Sequence, residues 1–432
     1  MKNEGKENVF DGYWLDELAT WCQHGKEEDT GFEDLYLERR LELRLHSGHG
    51  IRRLEECRTE GAAARWRTPG RLEIEAATGI SPRTIARLFQ DRFDARDLRL
   101  QRPLPSPELD VPRGWREEAE TLIDLCSPTE MTIHLLLRRA VVVRPENWHE
   151  IRAPLLVRIE TGLQEGTTLL TTWNHPPLQE LAPLIMTRAS HRSWHPQSDN
   201  AVPVLFSKGT TGVLVHELVG HLLEGDLLAS GASPLAQLNS QAVSTSNLHV
   251  IDDPTRFDLP GAFSCDDEGV PAQAVTLLED GAVRGALCDR FSAAVLDREP
   301  GRGRRASWNA PPVPRLSNLV VPPGSTPPED LEADIRNGLC VTRISGASVD
   351  PGAARLVIRV EQGWEIRHGR RRRPLSPCEI TGTVDGVLSA IDGSIGNDPL
   401  PDRHLGWCMK GGFPLPTGSE APSILVHTME VL

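Results

Sequence analysis

Nowhere in the 432 residues is there an apolar run approaching the roughly 20 residues that a membrane-spanning helix needs, which excludes insertion by a helix. The opening stretch "MKNEGKENVFDGYW" mixes charges of both signs and lacks the apolar segment of a secretory leader, so the expectation is a cytoplasmic protein. Basic residues are in deficit: 47 Lys and Arg stand against 61 Asp and Glu, a formal charge of -14. That balance argues against nonspecific binding of nucleic acid or of an anionic membrane. Cysteine pairs at CxxC spacing are also missing. Cys22, Cys57, Cys126, Cys265, Cys288, Cys340, Cys378 and Cys408 are scattered, which fits reduced thiols better than a disulfide framework. No repeat at solenoid periods is visible.

What is present is the composition of a folded protein of about two domains, 39% hydrophobic and 25% charged. Helical spacing marks "YWLDELATWCQ". "LYLERRLELRLHSG" then places Leu35, Leu37, Leu41, Leu43 and Leu45 at alternating positions, as a half-buried strand would. "SPRTIARLFQDRF" reads as a helix with Ser81 at its N-cap, and "EEAETLIDLCS" as another. "TIHLLLRRAVVVRP" and "APLLVRIETG" read as strands, and "SWHPQSDNAVP" as a break near residue 200. The expected fold is α+β. Residues 1–200 form an N-terminal α+β domain with an antiparallel sheet, and residues 201–432 a mainly β domain around one principal helix. In the latter, Asp280-Gly281 marks a hairpin turn.

That helix is "TTGVLVHELVGHLLEGD". Val213, Leu214, Leu218, Leu222 and Leu223 recur at helical spacing, with Thr210 or Thr211 as its cap. His216, Glu217 and His221 have the residue types of a zinc hydrolase, yet three residues separate Glu217 from the second histidine where the familiar motif has two. On a regular α-helix, positions five apart diverge by about 140°, too far for two imidazoles to share an ion. A local i to i+5 widening removes that divergence, and Gly220, without a side chain, suits it. A glutamate in an apolar helix is costly unless paired or used. Glu224 and Asp226, just beyond, read either as groups that orient the histidines or as solvent-facing carboxylates at a helix end.

"HELVGHLLEGD" resembles the HExxxH signature of the TldD/PmbA family of metallopeptidases, whose active subunit reads close to HEAVGHGLEGD. The similarity continues through "DDPTRFDLPGAFSCDDEGVPAQAVTLLEDGAVRGALCDRFSAA" and "GRGRRASWNAPPVPRLSNLVVPPG". It ends in "WCMKGGFPLPTGSEAPSILV", which is similar to the family's CGKxGQxxPVGxGxP region. The ordered succession covers roughly residues 205–432. The resemblance implies Cys408 as a third ligand beside His216 and His221, with an open fourth position on Zn2+, a donor set that suits zinc. By itself Cys408 reads as a small buried residue. The resemblance further implies Glu217 as general base, hydrolysis of an amide bond in a peptide or small peptide-like conjugate, and a TldE-like partner chain or a homodimer. The family also includes proteins acting in antibiotic biosynthesis. Two rivals are a small-molecule deacylase with the same site and a non-catalytic scaffold subunit. The scaffold would be expected to have lost Glu217 or a histidine.

Other conspicuous groups read as structural. Arg370 to Arg373 suit a solvated hairpin edge, Asp266 to Gly269 a turn, and Arg302, Arg304 and Arg305 either substrate positioning or support of the core. His175, His191 and His195 read as ordinary surface or core residues; His404, four residues from Cys408, is the one to watch. The first half departs from the family, since the charged "RRLEECRTEG" stands where a glycine-rich strand is usual.

Overall fold

The computed structural model describes residues 32–68, 71–89, 111–126, 130–161, 168–172, 177–186, 201–236, 248–402 and 406–432, with Leu109 and positions 15, 16, 18–20, 22 and 23. The last seven are helical, as expected for 13–23. Residues 193–200 of the expected break, together with His175, His191, His195 and His404, lie outside the described residues, while Ala201 to Pro203, at its end, already belong to a strand. Among the described residues, no helix is long and apolar enough to cross a membrane.

The chain is a mixed α+β molecule, mostly β in its second half. The first sheet is antiparallel throughout. It is built from β1 (Phe32–Gly48), β2 (Ile51–Thr68), β3 (Arg71–Thr78), β4 (Glu130–Val143), β5 (Trp148–Arg152), β6 (Leu156–Thr161) and β7 (Thr168–Thr172), in the order β3-β2-β1-β4-β6-β7 with β5 also on β4. Side chains alternate across a strand, so the odd-numbered leucines of β1 share one face. There Leu35 and Leu37 pack with Trp66, Phe32 and Phe89 of helix α1 (Pro82–Phe89), while Leu41, Leu43 and Leu45 pack under helix α2 (Trp115–Cys126). The Thr84 amide donates to Ser81 Oγ at 3.2 Å, the N-cap bond that the sequence suggested for α1. The half-buried reading holds for Leu41 to His46, where Arg44 and His46 are exposed, but not for the start of the strand, where Asp34, Tyr36 and Glu38 are also buried, at 0%, 0% and 1% exposure.

In the second half, strand β8 (Ala201–Phe206), Asn337–Asp350, Arg355–Arg367, Cys378–Thr383 and Ile424–Val431 form a sheet that closes on itself. Asn337–Asp350 pairs with both β8 and Arg355–Arg367. The hairpin Arg371–Pro374 hangs at its edge, where Arg371 pairs with Glu332 at 2.9 Å and Arg373 with Glu365 at 2.7 Å. A further sheet contains Val275–Glu279 and Ala282–Val283, joined by Asp280 and Gly281 at φ 50° and 69°, the positive values that a two-residue hairpin requires.

The single principal helix expected here is instead a string of short pieces: Thr211–Val215, His216–Gly220, His221–Leu223 and Gly225–Ala229. It lies in the largest apolar core, where Leu214, Leu218, Leu222 and Leu223 meet Val204 and Phe206 of β8 and Leu316 and Leu319. Neither threonine caps it as expected. Thr210 Oγ1 donates to the Ser207 carbonyl at 2.7 Å and Thr211 Oγ1 to that of Phe206 at 3.3 Å, tying the helix start to the strand before it.

Candidate metal centre

The helix widens where the sequence required it to. His216–Gly220 is a π turn, in which the His221 amide donates to the His216 carbonyl five residues back. The widening brings the two imidazoles onto one side, ring centroids 4.8 Å apart at an interplanar angle of 80°. Gly220 is there because of close approach: a Cβ would lie 2.1 Å from Leu316 Cδ2. Its φ of -57° is ordinary for a helix, so space rather than backbone freedom selects glycine.

Cys408 arrives from the far end of the chain on the hairpin Trp407–Lys410 and Phe413–Pro416, whose turn residues Gly411 and Gly412 have φ 58° and 83°. Its Sγ lies 3.4 Å from His221 Nε2, and one donor atom from each of His216, His221 and Cys408 falls within 4.8 Å of the others. Three donors at such spacing fit one small cation. Burial opposes ionisation of the thiol, but the two imidazoles outweigh it and hold Cys408 well below the ordinary thiol range. Burial likewise disfavours a charged His221, yet hydrogen bonds to Cys408 and Glu224 raise its pKa well above the usual value. A pocket that stabilises a thiolate against burial is suited to a cation.

Of the two readings left open for the neighbouring acids, Glu224 takes the first. The chain leaves helical geometry at this residue (ψ 134°), and its carboxylate, 2% exposed, places Oε2 3.3 Å from His221 Nδ1. That contact orients the ring and leaves Nε2 toward Cys408. Asp226 is half exposed and pairs with Lys410 Nζ at 2.7 Å. Glu217, His216, His221 and Cys408 all line one cavity of about 530 Å³, walled also by Trp407 and by Ala347 of a neighbouring strand.

Sequence reasoning missed Arg315 and Lys410. Arg315, 1% exposed, donates to the carbonyls of Cys408 and Phe413 and so carries the Cys408 hairpin. Its position inside "PPVPRLSN" was visible, but a lone arginine among prolines and a leucine carries no charge pattern to read. The arginines flagged earlier are buried supports. Arg302 pairs with Asp252, Arg304 donates to the carbonyls of Leu316 and Pro416, and Arg305 donates to that of Ala310. Asp266 to Gly269 is a turn, closed by the Gly269 amide on the Asp266 carbonyl at 3.0 Å, and its carboxylates reach the first sheet.

Comparison with known proteins places the chain among relatives of one family. Residues 199–432 match the PmbA/TldA metallopeptidase C-terminal domain. A metalloprotease TldD homolog of Buchnera aphidicola is 31% identical over 240 residues, 55% of this chain and 50% of the relative. A metalloprotease of Synechocystis is 30% identical over 331 residues, 74% of this chain and 71% of the relative. The chain therefore spans about half the length of the Buchnera protein. Among solved structures, TldE from Thermococcus kodakarensis has the same fold, with a TM-score of 0.71 at 14% identity, covering 96% of this chain and 99% of that one.

Proposed function

Because the chain belongs to the PmbA/TldD metallopeptidase family, we propose that it is a zinc-dependent hydrolase that cleaves an amide bond in a peptide or a small peptide-like conjugate. One observation carries the reading: a cysteine sulfur and two imidazoles, from elements 187 residues apart, converge beside Glu217 on a single cavity. Two nitrogen donors and one sulfur suit zinc over hard cations such as magnesium or calcium. His216, His221 and Cys408 hold the ion in this reading. When bound, the ion supplies Lewis acidity toward the scissile carbonyl and lowers the pKa of a water. Glu217 takes the proton of the attacking water and hands it to the leaving nitrogen. Glu224 keeps His221 in the tautomer that offers Nε2.

A cavity of about 530 Å³ accommodates a short extended segment rather than a folded domain. The reading places the protein in the cytoplasm, with natural-product maturation as one setting. It pairs the chain with a TldE-like subunit or a second copy of itself, since a TldE protein has the same fold. The test is hydrolysis of unstructured peptides and of small N-acyl amides by the wild type and by Glu217→Gln. Chelator-sensitive peptide cleavage, reduced about 100- to 10,000-fold in the variant, is expected. Cleavage of the small amides alone would move the assignment to a deacylase, and a metal-loaded protein that cleaves neither would favour the scaffold.

A further inference from the structure

We propose that Lys410 and Glu224 form a charged clasp that holds the His221 helix and the Cys408 hairpin in register before any ion arrives; this inference rests on the metal-site reading above. Lys410 stands two residues beyond Cys408 on the same strand, so its side chain projects to the same face as the thiol. Glu224 stands three residues beyond His221. The two meet at 2.8 Å between Lys410 Nζ and Glu224 Oε2, the same oxygen that lies 3.3 Å from His221 Nδ1. Asp226 Oδ2, at 2.7 Å, and the Pro314 carbonyl, at 3.3 Å, complete the surroundings of the ammonium. A closed circuit results: Cys408 to His221, His221 to Glu224, Glu224 to Lys410, and Lys410 back along two residues of backbone to Cys408.

Hydrocarbon holds only the inward side of the hairpin, through Cys408 and Leu415 at 1% and 4% exposure, and leaves its outer side and tip to other contacts. Met409 and Phe413 are 58% and 53% exposed, and the tip is two glycines at positive φ. Charged contacts add to that packing. Arg315, whose Nε lies 4.0 Å from Glu224 Oε1, donates to the Cys408 and Phe413 carbonyls, so both cations of the cluster belong to or hold the hairpin while both carboxylates belong to the helix. Lys410 and Glu224 thus act as positioning residues, through Cys408 and His221, although both also line the cavity.

The test is titration of the metal-free full chain with Co2+, followed by the thiolate-to-metal absorption, in the wild type, Lys410→Met, Lys410→Arg, Glu224→Gln and the Lys410→Met/Glu224→Gln pair, alongside thermal unfolding of each metal-free protein. Groups that orient a ligand contribute about 10- to 100-fold to metal affinity. Lys410→Met is expected to weaken Co2+ binding by that factor while the metal-free protein melts as the wild type does. Lys410→Arg should recover most of the loss, and the double variant should lose less than the product of the single losses, because both substitutions open one circuit. Wild-type affinity in Lys410→Met overturns the clasp, as does a loss that follows a lowered melting temperature and is not recovered by arginine. If Glu224→Gln does not fold, the partly exposed Lys410 variants carry the test. A wild type that binds no Co2+ overturns the metal-site reading itself, and the clasp with it.

Discussion

The helix carrying His216 and His221 is embedded in hydrocarbon, whereas the seam where the first sheet meets the turn at Asp266 to Gly269 is built from buried charge. Around the helix, Leu214, Leu218, Val219 and Leu222 are at most 1% exposed and pack against valines and leucines of the closed sheet. At the seam, Arg65 bonds Asp34 at 2.9 Å and Glu268 at 2.6 Å, and Arg138 bonds Glu38 at 2.8 Å and Asp267 at 2.5 Å. Arg305 lies over the Tyr36 ring at 4.6 Å. Hydrocarbon tolerates small shifts and holds the π turn by volume. Buried ion pairs tolerate few alternatives, because losing one partner strands the other without water. The difference teaches where each half is vulnerable: the helix to changes of volume, the seam to changes of charge.

The largest expected effect falls on the seam. Arg65→Met leaves Asp34 and Glu268 buried without their shared partner and should cost about 3 to 5 kcal/mol in denaturant unfolding. A loss under about 1 kcal/mol would mean that water reaches these carboxylates, and the contrast with the helix would disappear. Next comes acid. Burial opposes the Glu38 carboxylate, but Arg40 and Arg138 hold its pKa at about 2 against an ordinary 4.5. A depressed carboxylate contributes stability that is complete above its unfolded pKa and is lost as pH falls through the folded one. Glu38 should therefore contribute about 3 kcal/mol near neutrality and lose it between about pH 4.5 and 2. Glu38→Gln should flatten that decline, and an unchanged acid profile would contradict the pairing. The smallest effect is volumetric. Gly220→Ala forces a methyl against Leu316 and should cost about 1 to 3 kcal/mol. Metal binding should weaken with it; wild-type stability would show that the π turn has room to spare.

The same contrast decides what the sequence could reveal. Apolar periodicity identified the odd face of β1, helices α1 and α2, and the motif helix, because hydrocarbon leaves a period in the chain. It did not reveal that the even face of β1 is buried from Asp34 to Glu38, since these two acids look solvent-facing until Arg65 and Arg138 are brought near them from β2 and β4. The widened turn was legible from one glycine and one extra residue in the motif. Cys408 came from the family likeness alone, because nothing local distinguishes a ligand thiol from a buried one. Lys410 and Arg315 escaped because their partners lie 186 and 91 residues away along the chain, counted to Glu224 from 410 and 315. Charged clusters assembled over such separations carry no periodicity.

The account turns on whether His216, His221 and Cys408 act as one donor set. The most direct measurement is zinc content by elemental analysis of the wild type, His221→Ala and Cys408→Ser, each purified without added metal and again after zinc is supplied and excess removed. About one zinc per chain in the wild type, lost or weakened in both variants, is the predicted result. A wild type that retains no zinc, or variants that retain it fully, would contradict it.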